Sequence, residues 1–491
     1  MILPLYIIIP LFTAFLIALI GGKKNYLAVV FSVLSVLSLV CLSVYGFCTH
    51  GRETLVYKMS AWETPIGINL VHDSLSAFVL VMICIISLTS ILFSIQYIRH
   101  LSQDWKYYAL FMLLLSGMNG VVLTGDLFNL FVFMEIALIA AFALVAYGGR
   151  AEEYEAAFKY AVMGSVSSTL ILLGIAVTYS STSTLTMALI AERLPALNTK
   201  VVYWIGGLFM AGFGLKAAAM PFHAWLPDAH SSAPAPISSM LSGVLIKALG
   251  IYVLIRIFFN VLGAPEFFMR IFMVLGSVSI IIGVFLAIGQ WDMKRLLAYH
   301  SISQIGYILL GLGLATPLGI LGAIFHMFNH AIFKGLLFYN AGAVEMALGT
   351  RNLKNLGNIS KLLPVTSGTS MIASLSISGI PPFNGFFSKL IIIIAAIKSG
   401  QPVYAFLAVV GSILTLASFM KVQRYGFHGG KVIEKTQTKI GWTMNGAMIT
   451  LAVLCLATSL MIVPGIRESI LDPVIAVVLD KTQYIQMVMG R

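Results

Sequence analysis

The stretch GLKAAAMPFHAWLPDAHSSAPAPISSMLSGVLIKALG, residues 214–250, decides how the chain is read. It places Lys216 and Lys247 inside segments apolar enough to cross a membrane, with Pro221, His223, Pro227, His230, Pro234 and Pro236 between them. An ionisable group at the bilayer centre costs about 2.5–3.5 kcal/mol on insertion scales, so it normally faces a partner or water. Proline removes a backbone donor and clashes one turn back, and lipid accepts no unpaired backbone. A chain that keeps both features at membrane depth is expected to use them.

Outward from this stretch, the composition fits a membrane solvent. Of 491 residues, 59 % are hydrophobic and 10 % charged, against about 25 % charged in soluble domains; the mean hydropathy is +0.97. The net charge of +12 is scattered through short loops, which excludes nucleic acid as a partner. Cys41, Cys48, Cys84 and Cys455 form no C-x-x-C pair, so neither a cluster nor a zinc site is expected. No phosphate-binding, nucleophile-elbow or dinucleotide fingerprint is present, so no cofactor and no catalytic enzyme is expected. The N-terminal MILPLYIIIPLFTAFLIALIGGKKN lacks a basic leader region and reads as a retained first span.

With roughly 20 apolar residues per span, the reading is an all-α integral membrane protein of about 14 helices. Two are expected to be broken, within 201–230 and 364–398; the second holds SGIPPFNGFFSK, where Pro381 and Pro382 interrupt one long apolar run. KAAAMPFHAWLP (216–227) and GIPPFNGFFSK (379–389) each set Pro-Phe beside a break with a lysine nearby. Asp126 with Glu135, and Asp292 with Ser301, repeat a nine-residue spacing. An odd offset of five spans makes such repeats inverted, a recurring transporter plan. The expected division is a three-helix segment (1–106), five-helix repeats at 107–259 and 267–424, and a C-terminal helix and tail (425–491). Loops on one side carry sixteen Lys and Arg, including Lys23, Lys24, Lys294, Lys431 and Lys435; the other side carries ten, including Arg52, Arg256 and Arg491. The positive-inside rule makes the first side cytoplasmic and puts both termini outside.

Glu135 lies nine residues past Asp126, roughly 13 Å along a helix. Lys216, Lys247, Lys334 and Lys389 place four ammonium groups at membrane depth against this one central carboxylate. They are an excess of cations that the chain cannot pair. A lysine that gains and loses a carboxylate neighbour becomes a proton switch. His326, His330 and Lys334 follow at i, i+4 and i+8, along one helix face at a rise of about 6 Å per step. Histidines there suit proton transfer. A zinc pair is the rival reading, disfavoured because the next group on that face is a cation. His223, Asp228, His230, His300 and Ser301 form a secondary polar set, whereas His72 and Asp73 read as surface residues at a loop edge.

FVFMEIALIAAFALVAYG, the 214–250 stretch, DMKRLLAYHSISQIGYILLG and FHMFNHAIFKGLLFYNAG together resemble the proton-translocating membrane subunits shared by respiratory complex I, membrane-bound hydrogenases and Mrp-type multisubunit Na⁺/H⁺ antiporters. The resemblance spans roughly 70–425. It implies a glutamate (Glu135) paired with a lysine on a broken helix (Lys216), followed by Lys247, His326 with His330, and Lys389 on a second broken helix. Length and the HAIFKGLLFYNAGAV wording resemble the D-type branch of the antiporter subunits. That branch implies other antiporter subunits as partners, a bacterial cell membrane, protons carried by this chain and Na⁺ carried elsewhere in the complex. The alternative is the same proton path in a redox-driven complex.

Overall fold

The computed structural model describes residues 2–20, 25–51, 53–101, 105–429 and 438–490; Lys23, Lys24, Arg52, Lys431, Lys435 and Arg491 of the charge count lie outside them. Helices dominate: α1 (Leu5–Ile20), α2 (Asn25–His50), α3 (Ser74–Leu101), α4 (Trp105–Leu123), α5 (Leu127–Val145), α6 (Ala151–Thr182), the short α7 (Met187–Arg193) and α8 (Thr199–Lys216). Beyond the first break come α9 (Trp225–Ser232), α10 (Ala235–Val261), α11 (Glu266–Ile288), α12 (Met293–Gly313) and α13 (Pro317–Leu348). Then follow α14 (Pro364–Ser378), α15 (Asn384–Lys398), α16 (Pro402–His428) and α17 (Trp442–Ile462), with three short tail helices α18 (Pro464–Ile470), α19 (Asp472–Leu479) and α20 (Lys481–Met489). Among the described residues, eleven helices are long and apolar enough to cross a membrane, and α1 is a shorter apolar one.

Helices α10 and α13 are buried along their whole apolar windows, whereas α2 and α16 expose much of theirs. Outward-facing Phe12, Phe158, Trp204, Phe285 and Phe406 make a surface suited to lipid tails. The polar groups are therefore gathered toward the central helices, as an apolar solvent requires.

The all-α membrane class holds, and three sequence expectations are corrected. Between α2 and α3, β1 (Leu55–Lys58) and β2 (Asn69–His72) add a small antiparallel hairpin. That hairpin carries His72 and Asp73 inward, so both are buried rather than on the surface. Arg256 is not a loop residue, because α10 continues to Val261 through wider π-type turns; its Nη2 lies 2.5 Å from the Asp73 carboxylate. Lys294, counted with the loops, is buried one residue inside α12.

The break between α14 and α15 rests on close packing. Gly379 turns the chain at φ +81°, in the left-handed region that glycine tolerates. A Cβ on Gly385 would sit 1.8 Å from the Ser376 carbonyl oxygen. Gly385→Ala should therefore force the two helix ends apart and destabilise the protein by about 1–3 kcal/mol or more, read as a lower unfolding midpoint of the purified protein.

Candidate functional site

The first break is built so that its backbone is paired. Helix α8 ends at Lys216, and the chain turns through Ala217–Ala224 before α9. The Trp225 indole donates to the Leu215 carbonyl at 3.0 Å and stacks on Tyr160 at 4.3 Å. The Ser279 hydroxyl accepts from the Met220 N–H at 3.0 Å. A Cβ on Gly250 would stand 2.7 Å from the Ala217 backbone, so glycine lets α10, with Lys247, press against the turn.

Lys216 is buried, and its Nζ donates to the Gly164 carbonyl at 3.0 Å and the Ser168 hydroxyl at 3.1 Å. Ser168 in turn donates to Glu135 Oε1 at 2.5 Å. Glu135 and Lys216, expected as a pair, thus meet through a serine. A hydroxyl that accepts from one group while donating to the next can pass a proton by exchanging the two bonds. Beside Lys216 lies a cavity lined by Gly164, Leu245, Ile246 and Leu249, with ≈ 10 Å³ open to the centre of a water molecule. That is about the room one water needs, and its α10 wall is formed by Leu245, Ile246 and Leu249, which flank Lys247 in the chain.

Lys247 and Lys334 are fully buried, and neither makes an ion pair among the described residues. Lys247 donates to the Ser242 carbonyl, and the Ser242 hydroxyl meets that of Ser301 at 2.8 Å. Lys334 donates to the Leu297 carbonyl and lies 5.5 Å from the centre of the Phe338 ring. The π-type turns Leu241–Leu245 and Lys247–Tyr252 place Lys247 in irregular helix, a geometry frequent at functional sites.

His326 and His330 stack at 6.2 Å. His326 Nδ1 meets the Ser388 hydroxyl at 2.9 Å, while His326 Nε2 and both nitrogens of His330 have no partner among the described residues. Among the described residues no group of three or more His, Cys, Asp or Glu could hold a metal. At the second break Lys389 donates to the Ile377 carbonyl at 2.7 Å and sits 4.6 Å from the centre of the Tyr307 ring. Here the freed carbonyl of a helix end does hold a lysine; at the first break Trp225 takes that role.

The secondary set divides. His230 is buried between Trp225 and Phe338, with neither nitrogen partnered among the described residues. His300 meets Ser418 at 2.8 Å, and Ser301 meets Ser242. His223 is half-buried and faces the Pro221 carbonyl. Asp228 stands apart in a polar cleft, 2.9 Å from Lys159 and 3.0 Å from Arg295. Sequence reasoning missed Ser168 and Ser388, because serine spacing carries no distinctive signal. It also missed Glu345, which pairs with the buried Lys294 at 2.8 Å. Its eleven-residue spacing from Lys334, about three helical turns, was an available clue.

Residues 124–415 match the family described as "NADH:quinone oxidoreductase/Mrp antiporter, TM", and 59–111 match "NADH-Ubiquinone oxidoreductase (complex I), chain 5 N-terminus". The chain belongs to this family. Within it, the chain is 33% identical to the D-type Na(+)/H(+) antiporter subunit of Alkalihalophilus pseudofirmus, covering 98% of this chain and 99% of that one. It is 37% identical to the N-type NADH-quinone oxidoreductase subunit of Desulforudis audaxviator, over 85% of each. Among solved structures, one chain of the Mrp complex from Dietzia sp. superposes with a TM-score of 0.93 at 28% identity over 99% of both chains. A chain of the membrane-bound sulfane sulfur reductase, an archaeal respiratory complex, gives 0.92 at 31% over 99% of both. The family resemblance drawn from the four quoted motifs therefore holds over the whole chain.

Proposed function

We propose that the chain is the D-type member of a multisubunit Na⁺/H⁺ antiporter in a bacterial cell membrane, and that it moves protons along Glu135, Lys216, Lys247, Lys334, His330, His326 and Lys389. The observation that carries this reading is the run of buried lysines that, among the described residues, have no ion-pair partner, leading to histidine nitrogens that have no partner there either. Unpaired polar groups at that depth are expensive unless water or a travelling proton satisfies them. Ser168, the small cavity beside Lys216 and the two helix breaks supply the links a proton path needs.

Likeness to a D-type antiporter subunit along 98% of the chain, tail included, favours antiport. Glu135 supports assembly with other subunits. It is only partly buried and shares its helix face with the exposed Phe128, Val132 and Ile139. A carboxylate facing lipid is costly, so a neighbouring protein of the complex is the cover this face calls for. Na⁺ seeks several oxygen ligands, and this chain offers one mid-depth carboxylate, so Na⁺ crosses elsewhere in the complex.

We read fourteen spans, with α8 and α9, and α14 and α15, each counted as one broken span; an even number keeps both termini on one side, and the positive-inside rule makes that side the outside. The two inverted repeats, 107–259 and 267–424, between the 1–106 segment and the 425–491 tail, gain support from a shared detail. Asp126 caps α5 and bridges Thr186; Asp292 caps α12 and bridges Asn352, each sixty residues on.

The test is exchange by the complete complex in everted vesicles of a host lacking its own Na⁺/H⁺ antiporters. Na⁺ addition should collapse a respiration-driven ΔpH. Proton movement driven by quinone or sulfur reduction, with no response to Na⁺, would instead favour a redox complex, the reading that the likenesses to the quinone oxidoreductase and the sulfur reductase keep open.

A further inference from the structure

Acidic residues are scarce in this chain, 18 in all. Six of them line two adjoining clefts of ≈ 330 and ≈ 200 Å³: Glu152, Glu155, Asp228 and Asp292 in one, Glu153 and Glu345 in the other. The clefts lie at the ends of α5, α9, α11 and α13, the side whose loops are otherwise basic. Glu152, Ser232 and Arg351 line both.

At the inner edge the polar groups continue into the protein. Arg351 holds Asp292 at 2.6 Å and Glu345 at 2.9 Å. Glu345 Oε2 meets Lys294 Nζ at 2.8 Å, and Lys294, 2 % exposed as a side chain, also donates to the Ala233 carbonyl at 3.2 Å. Leu297, one turn deeper on α12, offers the carbonyl that holds Lys334. His230, three residues before Ala233, is buried with both nitrogens unpartnered, and its ring and Lys334 approach the same Phe338. An ion pair between solvent and a set of buried, unpartnered bases has the form of an entry valve rather than of a helix tie alone.

We propose that the acidic clefts are the proton port of the basic-loop side, with Lys294–Glu345, which Arg351 holds in place, as the gate that passes protons from the carboxylate-lined clefts to His230 and Lys334. This rests on the proton-path reading above. When a proton reaches Glu345, its carboxyl no longer holds Lys294, and the released ammonium can give a proton inward. Nothing is consumed: the proton that enters at Glu345 is balanced by one leaving Lys294 toward the buried bases, and the Glu345 proton then crosses to the neutral Lys294 amine, 2.8 Å away, which restores the ion pair.

Glu345→Gln and Lys294→Met, each in the complete complex, should lower Na⁺-driven exchange by roughly a hundredfold, the lower end of what a positioned proton donor contributes, with the complex still assembled. Glu345→Asp should restore part of it. Ser232→Cys supplies an arm that a structural tie would not move. A membrane-impermeant anionic methanethiosulfonate applied to everted vesicles, which present the basic-loop side, should slow exchange relative to the same vesicles before treatment and to the parent with its native cysteines. Applied to right-side-out vesicles it should not. Lys247→Ala separates the port from the path it feeds. If it abolishes exchange while Glu345→Gln, Lys294→Met and the thiol reagent all leave exchange at the parent rate, the port is wrong and the path stands. If Lys247→Ala itself exchanges normally, the path fails and takes the port with it.

Discussion

Lys216→Ala should abolish Na⁺-dependent collapse of ΔpH in everted vesicles, a loss of about two orders of magnitude or more, while the complex assembles normally. Glu135→Ala should do the same. The two residues sit at opposite ends of one hydroxyl, with Ser168 accepting from Lys216 at 3.1 Å and donating to Glu135 at 2.5 Å. Removing either end leaves the serine nothing to exchange with. Lys216→Arg should fail as well, because a guanidinium keeps its proton and its planar fork does not match a site shaped around one Nζ between Gly164 and Ser168. Ser168→Ala should fall between wild type and these variants, since a water in the adjoining cavity can partly replace the hydroxyl. Normal exchange by Lys216→Arg would show that this lysine serves only as a fixed charge.

Asp73→Ala, or Arg256→Ala, should destabilise the folded protein by about 3–5 kcal/mol, because each leaves a buried charge without its partner. The pair is enclosed on all sides. Arg256 Nε donates to the Tyr252 hydroxyl at 3.0 Å, Nη1 to Asn260 at 3.2 Å, and Tyr484 of the tail lies 5.5 Å from the guanidinium. Asn260 also donates to the Val477 carbonyl at 2.7 Å, so the tail helices close over this end of α10. Burial pushes the Asp73 carboxyl up, but the Arg256 guanidinium and the Ser76 N–H outweigh it and hold the group below the usual carboxylate range. A lowered carboxyl pKa stabilises the fold above the unfolded-chain value of about 3.9 and loses that contribution as pH falls through the folded value. Thermal unfolding of purified protein should therefore show a large drop for either variant near neutral pH and a smaller one in strong acid. The double replacement by apolar residues should recover much of the loss.

How much was legible in the sequence follows from which interactions are local. Apolar runs and proline interruptions act along the chain, so the breaks around Pro221 and around Pro381 and Pro382 could be read directly. The four lysines and Glu135 stood out because charge is rare at that depth. What escaped reading depends on residues far apart. Asp73 and Arg256 are 183 positions apart, and nothing near either one reveals the other. Lys294 looked like a loop residue because it begins a helix and precedes Arg295; only Glu345, fifty-one positions later, explains its burial. Ser168 was invisible since a serine on a membrane helix more often bonds back to its own backbone. The small hairpin of residues 55–58 and 69–72 was missed because two four-residue strands leave little periodic signal.

Proton conduction by this chain turns on whether the interior between Lys247 and Lys389 is wet. The most direct measurement is a structure of the assembled complex in lipid, at a resolution that shows ordered water. A conducting path requires waters bonded to both nitrogens of His330 and to Nε2 of His326, linking them to Lys247 and Lys389. Density showing those nitrogens packed against hydrocarbon, or held by fixed groups of a neighbouring protein with no water between the lysines, would contradict it.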